Sequence, residues 1–258
     1  MNRRSARWWW GTFGALFAVG SIGWGTFHTT VALAHGIEHE VHRFDAADVQ
    51  RIVVRTGSGH VTVAAEPTDT IVVNADVHTS IGGNRFHVQL DAGTLELRST
   101  CRWYEVWCAA DVTISAPPSV ELDLRSDNGN VGVHGSDAPV HAHSHNGRVE
   151  LIDVGGPIAA STSNGRVTGE ALRSTDVEAS SRNGSVNLSF TVPVHQVRGS
   201  SSNGSVTVRV PDAPGAYRVD ASTSNGRRTV EVRTDPAATD SITARSENGD
   251  VTVRYGAG

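Results

Sequence analysis

Residues 201–210 have the sequence Ser-Ser-Asn-Gly-Ser-Val-Thr-Val-Arg-Val, and this stretch contains the unit that decides the fold. A hydroxyl residue stands two positions before an Asn-Gly step, and Val206, Val208 and Val210 then alternate with polar residues. Apolar residues at a period of two predict a strand with one buried face, and Asn-Gly predicts a tight corner before it.

The same unit recurs along the C-terminal half of the chain. Successive Asn residues of these steps are separated by 18, 18, 19, 20, 22 and 23 residues, and a proline lies 10 or 11 residues after five of them. Each repeat therefore has two corners and two short strands. The seven steps are Asn128-Gly129, Asn146-Gly147, Asn164-Gly165, Asn183-Gly184, Asn203-Gly204, Asn225-Gly226 and Asn248-Gly249.

Two all-β architectures accommodate two strands per repeat. In a meander each Asn-Gly forms a hairpin turn, whereas in a solenoid it forms the corner of a coil. Recurrence of the whole unit favours the solenoid, because stacked coils place equivalent side chains about 4.8 Å apart, where they can form ladders. We interpret the Asn-Gly residues as structural, since Gly accepts a positive φ and Asn tolerates it.

Residues 144–151 and 201–208 resemble the repeat unit of a bacterial putative-adhesin family of unknown function, also called toast-rack-like. The order of the other features is similar too: an N-terminal membrane segment, the stretch Arg55–Val63, a loop with two cysteines, and then the Asn-Gly array. The resemblance implies a right-handed, single-stranded β-helix on the outer face of a membrane, and it implies no established biochemical activity. We therefore expect an all-β solenoid with coils of 18–23 residues.

The N-terminus has the pattern of a membrane segment. Three arginines precede residue 8, and residues 8–27 contain no charged side chain. A helix of that length spans about 30 Å, which matches a bilayer core, and the arginines predict a cytoplasmic N-terminus. We expect a retained anchor over residues 1–27. The alternative is a cleaved signal peptide, because Ala32-Leu33-Ala34 has the form of a cleavage site.

The remaining chain is expected to lie outside the cytoplasm. Cys101 and Cys108 are the only cysteines, and in an exported chain a pair this close predicts a disulfide. A metal site is the weaker alternative, since no His lies between them. Trp103, Tyr104 and Trp107 lie inside the loop. They form either a cap over the end of the solenoid or a binding tip rich in aromatic side chains.

The predicted organisation has three parts. Residues 28–43 form a polar linker, residues 44–120 form the opening coils, and residues 121–258 form the Asn-Gly array. Within the opening coils we predict strands over residues 51–64, 70–77, 86–97 and 111–116, with turns at 82–83 and 91–93. The array shows no polar cap after its last repeat, so the C-terminal coil is predicted to be an open end. This end is either a surface for self-association or for a partner, or a short edge blunted by Arg254.

The composition bears on function mainly by exclusion. The formal net charge of −5 argues against a nucleic-acid binder. Motifs of serine hydrolases, zinc proteases and nucleotide-binding loops are missing from the sequence, and the residues before each corner Asn form no ladder of carboxylates. We expect no enzyme activity and no cofactor. His141, His143 and His145 share one strand face and, with His134 nearby, could bind a metal, but we interpret them as a solvated polar face and predict no metal site.

The sequence thus predicts a single-pass membrane protein with an extracytoplasmic β-solenoid that acts as an envelope interaction module, adhesin-like or associated with envelope stress. Its partners would be the membrane and an envelope protein or cell-wall polymer. One alternative is an architectural spacer or self-assembling element. Another is a polysaccharide-active β-helix enzyme.

Overall fold

The computed structural model describes residues 36–79, 85–100 and 109–256. These residues form 21 β-strands and one 3-10 turn, Ala46–Asp48. The first seven strands are β1 Gly36–Asp45, β2 Arg51–Ser58, β3 Val61–Ala65, β4 Thr70–Thr79, β5 Arg85–Asp91, β6 Thr94–Thr100 and β7 Ala109–Ala116. The array contains β8 Glu121–Asn128, β9 Val131–His134, β10 Val140–Asn146, β11 Val149–Ile152, β12 Ile158–Thr162, β13 Val167–Leu172, β14 Asp176–Ser181, β15 Val186–Phe190, β16 Gln196–Asn203, β17 Val206–Val210, β18 Arg218–Asn225, β19 Arg228–Glu231, β20 Ser241–Asn248 and β21 Val251–Tyr255.

The strands form two sheets that pack face to face. Sheet A has 11 strands in the order β1-β4-β7-β3-β9-β11-β13-β15-β17-β21-β19, and sheet B has 10 in the order β18-β20-β16-β14-β12-β10-β8-β2-β6-β5. In the array each coil contributes one strand to sheet B and the next to sheet A, and it pairs in parallel with the neighbouring coils. Strands that follow each other in the chain do not form hairpins there, so the solenoid prediction is confirmed.

The core lies between the sheets and is built from every second residue. Val131, Val149, Val167, Val186 and Val206 occupy equivalent positions in five coils and are fully buried. The facing row of sheet B contains mostly alanine, for example Ala142, Ala160 and Ala179. Small residues opposite β-branched ones let the two sheets approach closely, which explains coils of so few residues.

The C-terminal coil does not lie at the end of the solenoid. Strands β20 and β21 are inserted between the coil β16–β17 and the coil β18–β19. The inward residues Ile242, Ala244, Val251 and Val253 are fully buried, so this coil needs a neighbour on both sides. The prediction of an open C-terminal coil is therefore wrong: β18–β19 is the terminal coil, and its strands are mostly exposed and polar, as in a capping repeat.

The opening region is less regular than a set of coils. β2–β3 and β6–β7 form parallel coils, but β4 pairs antiparallel with β7, β1 with β4, and β5 with β6. Residues 36–43, assigned above to a linker, instead form most of β1, because β4 offers them a free edge along all ten residues of the strand. The predicted strand over 51–64 is divided at Gly59, whose φ is +124°.

Several predictions concern segments outside the described ranges. They are the anchor over residues 1–27 with its alternative cleavage site, the first part of the linker, the turn at 82–83, the disulfide between Cys101 and Cys108, and the aromatic residues Trp103, Tyr104 and Trp107. Within the described ranges, no helix is long and apolar enough to cross a membrane.

Candidate functional site

The hydroxyl residue of the repeat unit is buried at the corner and bonds to the adjacent coil. Ser144 donates to the carbonyl of Gly129 at 2.8 Å, and Thr162 donates to that of Gly147 at 2.8 Å. The other members of this row make the same bond at 2.8–2.9 Å: Ser126, Ser181, Ser201, Ser246 and Thr223. A buried hydroxyl needs such a partner, which explains why the position is always Ser or Thr.

The corner glycines are required by the close approach of one coil to the next. A Cβ on Gly165 would lie 1.9 Å from the carbonyl oxygen of Gly147, and one on Gly184 would lie 1.8 Å from that of Gly165. Among the seven corner glycines only Gly249 has a positive φ, +155°. Our interpretation that these glycines serve a positive φ is therefore wrong for the other six, because steric contact between coils excludes a side chain.

The corner asparagines form a continuous ladder of side-chain amides. In six of the seven, Nδ2 donates to the Oδ1 of the corner asparagine on the neighbouring coil, as from Asn164 to Asn146 at 2.8 Å and from Asn183 to Asn164 at 2.8 Å. At the start of the ladder, Asn128 donates to the carbonyl of Gly57 instead. The ladder follows the spatial order of the coils and not the chain order, since Asn225 donates to Asn248 and Asn248 to Asn203. The residues of the repeat unit thus hold the coils together, and the side chains free to contact a partner lie on the outer faces of the two sheets.

The outer face of sheet B carries a groove in its middle third. Its floor contains the small residues Ala159, Ser161 and Ser180, which lie in register on β12 and β14. Longer side chains line the rest of it. We call this concavity of about 480 Å³ the central groove; its longer lining residues are Arg125, His141, His143 and Glu178, together with the buried Asp123.

The histidine row is brought to this groove only in part. His141 and His143 line it, and the Nδ1 of His143 lies 2.8 Å from the Ser161 hydroxyl. Burial, with Arg125 nearby, lowers the pKa of His143, so its imidazole is neutral at pH 7. His134 lies on β9 in sheet A, on the other side of the rod. In the described ranges, no three His, Cys, Asp or Glu side chains are grouped so that they could hold a metal ion.

A second concavity adjoins the central groove at Arg125. It is about 440 Å³ in volume and is lined by Arg55, Arg98 and Arg125, with Thr56, Gly57, Ser99 and Asp127. The sequence analysis predicted neither concavity. For the second one, Arg98 lies before the repeats, and the sequence around it does not show that β6 stacks beside β2. The alternation of residues did indicate which side chains point outward, so a correct pairing of the opening strands would have found the three arginines.

Comparison with known proteins agrees with this architecture. Residues 45–254 match the model of the family described as Toastrack DUF4097, and no curated protein matches. A crystal structure described as a putative adhesin from Bacteroides fragilis NCTC 9343 has 12% identity and a TM-score of 0.52, covering 84% of this chain and 97% of that chain.

Two further solved structures are similar at a lower level. A structure described as a putative cell adhesion protein from Clostridium sporogenes ATCC 15579 has a TM-score of 0.39 and 8% identity, covering 86% and 100% of the two chains. A structure described as a putative lipid binding protein from Parabacteroides distasonis ATCC 8503 has a TM-score of 0.33 and 11% identity, covering 84% and 96%. Because the family match spans most of its length, the chain belongs to the Toastrack DUF4097 family.

Proposed function

We propose that this protein is a non-enzymatic, adhesin-like interaction module of the cell envelope that binds its partner on the outer face of sheet B. The observation that carries the proposal is the central groove. It lies on a rigid, hydrogen-bonded sheet, and it presents hydroxyl, imidazole, guanidinium and carboxylate groups together around a floor of small residues. Such a mixture suits a polar, hydroxyl-rich polymer or a polar protein surface, and the partner we propose is an envelope protein or cell-wall polymer.

The family relationship supports the same class of function. The Bacteroides fragilis structure that shares the fold is described as a putative adhesin. We also propose that residues 1–27 hold the chain in a membrane and that the solenoid is exposed outside the cytoplasm. Fractionation of cells and protease treatment of intact cells test this location: the solenoid should remain with the membrane and be accessible from outside.

The binding proposal is tested by filling the groove. Ser161→Trp places a large side chain on the floor, whereas Thr168→Trp places the same side chain on the outer face of sheet A, on the next strand of the same coil. Both positions are half-buried, so the two variants are matched. The full-length chain, solubilised in detergent, is incubated with cell-wall material and membrane extract of its source.

We expect the parent and Thr168→Trp to capture the same material and Ser161→Trp to lose it, with all three chains melting cooperatively. Equal capture by both variants would reject sheet B as the binding face. If the parent captures nothing, the adhesin-like proposal is rejected and the spacer is favoured. A spacer depends on the length of the solenoid and needs no binding face.

A further inference from the structure

We propose that Arg55, Arg98 and Arg125, which we call the arginine triad, form a binding site for the carboxylate or phosphate groups of an anionic glycopolymer. This inference rests on the proposed function, because the triad lies on the same outer face of sheet B as the central groove. It adds the chemical class of the partner and the side chains that recognise it.

The triad is defined by strand register. Arg55 on β2 is directly paired with Arg98 on β6 and with Arg125 on β8. Neighbouring strands lie about 4.8 Å apart, so three guanidinium groups are stacked in one row. Like charges directly opposite one another destabilise a sheet, which makes this arrangement costly for the free protein.

Nearby carboxylates compensate the triad incompletely. Glu96 contacts Arg98 at 2.6 Å, and the hydrogen bond from Arg98 lowers the pKa of Glu96. Arg55, in the middle of the row, reaches the same carboxylate only at 4.0 Å.

The third arginine also shares its counter-ion. Asp123 contacts Arg125 at 3.1 Å and Arg51 at 3.2 Å. Arg51 in turn lies 3.4 Å from Glu121. Among the described residues, the ion pairs of the triad are therefore made with Glu96 and with Asp123, and Asp123 is shared with Arg51.

The guanidinium groups are accessible from solvent. Their side chains are 47%, 47% and 57% exposed for Arg55, Arg98 and Arg125. They line the concavity of about 440 Å³ together with Gly57. The space beside Gly57 is open, since a Cβ built there would have no atom within 4 Å. Planar guanidinium forks match the geometry of carboxylate and phosphate oxygens, so an anion can bridge two members of the row.

The row continues along the rod in a way that suits a polymer. The positions after Arg125 are His143, Ser161, Ser180 and Ser200, which are all in register and contain no carboxylate. A chain lying across the coils would thus meet anion-binding groups at one end and hydroxyl groups along the central groove. Among the described residues that line the concavity of the triad, Asp127 is the one acidic residue, and its charge opposes the binding of an anionic ligand.

The experiment measures binding of three polymers to the immobilised full-length chain: polygalacturonate with carboxylates, poly(glycerol phosphate) with phosphates, and neutral dextran. We expect at least one anionic polymer to bind, more weakly as the salt concentration rises, and dextran to bind much less. The stronger of the two anionic probes identifies the source of the charge.

Three variants locate the site. Arg55→Gln should weaken anionic binding about tenfold, the cost of one charge-assisted contact. Asp127→Asn should strengthen binding, because it removes a repulsive charge. Arg209→Gln, the matched control on the outer face of sheet A, should bind as the parent does. Arg55 faces two other arginines and reaches Glu96 only at 4.0 Å, so its variant should melt at or above the parent's melting temperature.

Two outcomes would overturn the inference. One is that neither anionic polymer binds better than dextran. The other is that Arg55→Gln binds the anionic polymers as tightly as the parent does. If the full-length chain still loses envelope material on Ser161→Trp, the proposed function stands and only the assignment to the arginine triad fails.

Discussion

A single methyl group at a corner glycine is predicted to separate two coils. In Gly165→Ala the new Cβ would lie 1.9 Å from the carbonyl oxygen of Gly147, and the backbone there cannot move without breaking ladder bonds on both sides. We expect a loss of about 3 kcal/mol in the free energy of unfolding, measured by chemical denaturation. Gly57→Ala is the control, since its Cβ meets no atom within 4 Å; a comparable loss there would contradict the steric account.

The asparagine ladder makes a graded prediction. Asn164 donates to Asn146 and accepts from Asn183, so Asn164→Ala removes two hydrogen bonds. Asn225 lies on the terminal coil and donates one, to Asn248. We expect losses of about 2 kcal/mol and about 1 kcal/mol respectively, again by denaturation. Equal losses at the two positions would mean that the ladder does not stabilise the coils through these bonds.

At the scale of single residues, the sequence identifies the positions that hold the coils together, but it does not give the physical reason for the residue at each position. The recurrence of Ser or Thr, Asn and Gly correctly indicated stacked coils with side-chain ladders. The reason for each residue required the structure, because a close approach between Gly147 and Gly165 depends on the distance between coils. A local rule about φ therefore assigned these glycines the wrong cause.

At the scale of elements, the terminal coil shows how burial decides the order of stacking. Val219, Val230 and Val232 on and beside β18–β19 are only partly buried against the core, whereas the inward residues of β20–β21 are fully buried: Ile242, Ala244, Val251 and Val253. Placing the less apolar coil at the end leaves the smallest apolar area exposed to water. The repeat pattern did not indicate that the last two coils stack in the reverse of their chain order, because both coils carry the same Ser/Thr-x-Asn-Gly unit.

Removing the C-terminal coil tests this order. Strands β18 and β19 pair only with β20 and β21, so a chain that ends at residue 235 leaves the terminal coil without a neighbour. We expect trypsin to cleave rapidly after Arg227, Arg228 or Arg233 in the truncated chain and slowly in the parent, as followed by mass spectrometry. Slow cleavage in both would mean that β18–β19 can stack directly on β16–β17.

The opening strands mark the limit of prediction from pattern. Their alternation correctly indicated strands near residues 51–64, 70–77, 86–97 and 111–116. Alternation does not say which strands pair, and here antiparallel partners extend both sheets beyond the first coil. The arginine triad depends on the parallel pairing of β6, β2 and β8. Alternation did not show this pairing either, which is why the site was not predicted although Arg55, Arg98 and Arg125 all lie at outward positions.

At the scale of the whole molecule, the residues that stabilise the solenoid are different from those that we propose for binding. The corner ladders and the core hold the coils in register, and they leave two long outer faces of different character. Sheet B presents the central groove and the arginine triad, both built from side chains that hold no coil in place through the corner unit. A rod with one such face can be anchored at one end and still present several binding positions along its length.

The measurement that tests this account most directly is site-specific photo-cross-linking. A photoreactive phenylalanine analogue is introduced at Ser180 in the central groove or at Thr168 on the outer face of sheet A, and the full-length chain is irradiated with envelope material of its source. The account predicts a specific adduct from position 180 and none from position 168. An adduct from position 168 alone, or none from either position under conditions in which the parent captures material, would contradict binding on sheet B.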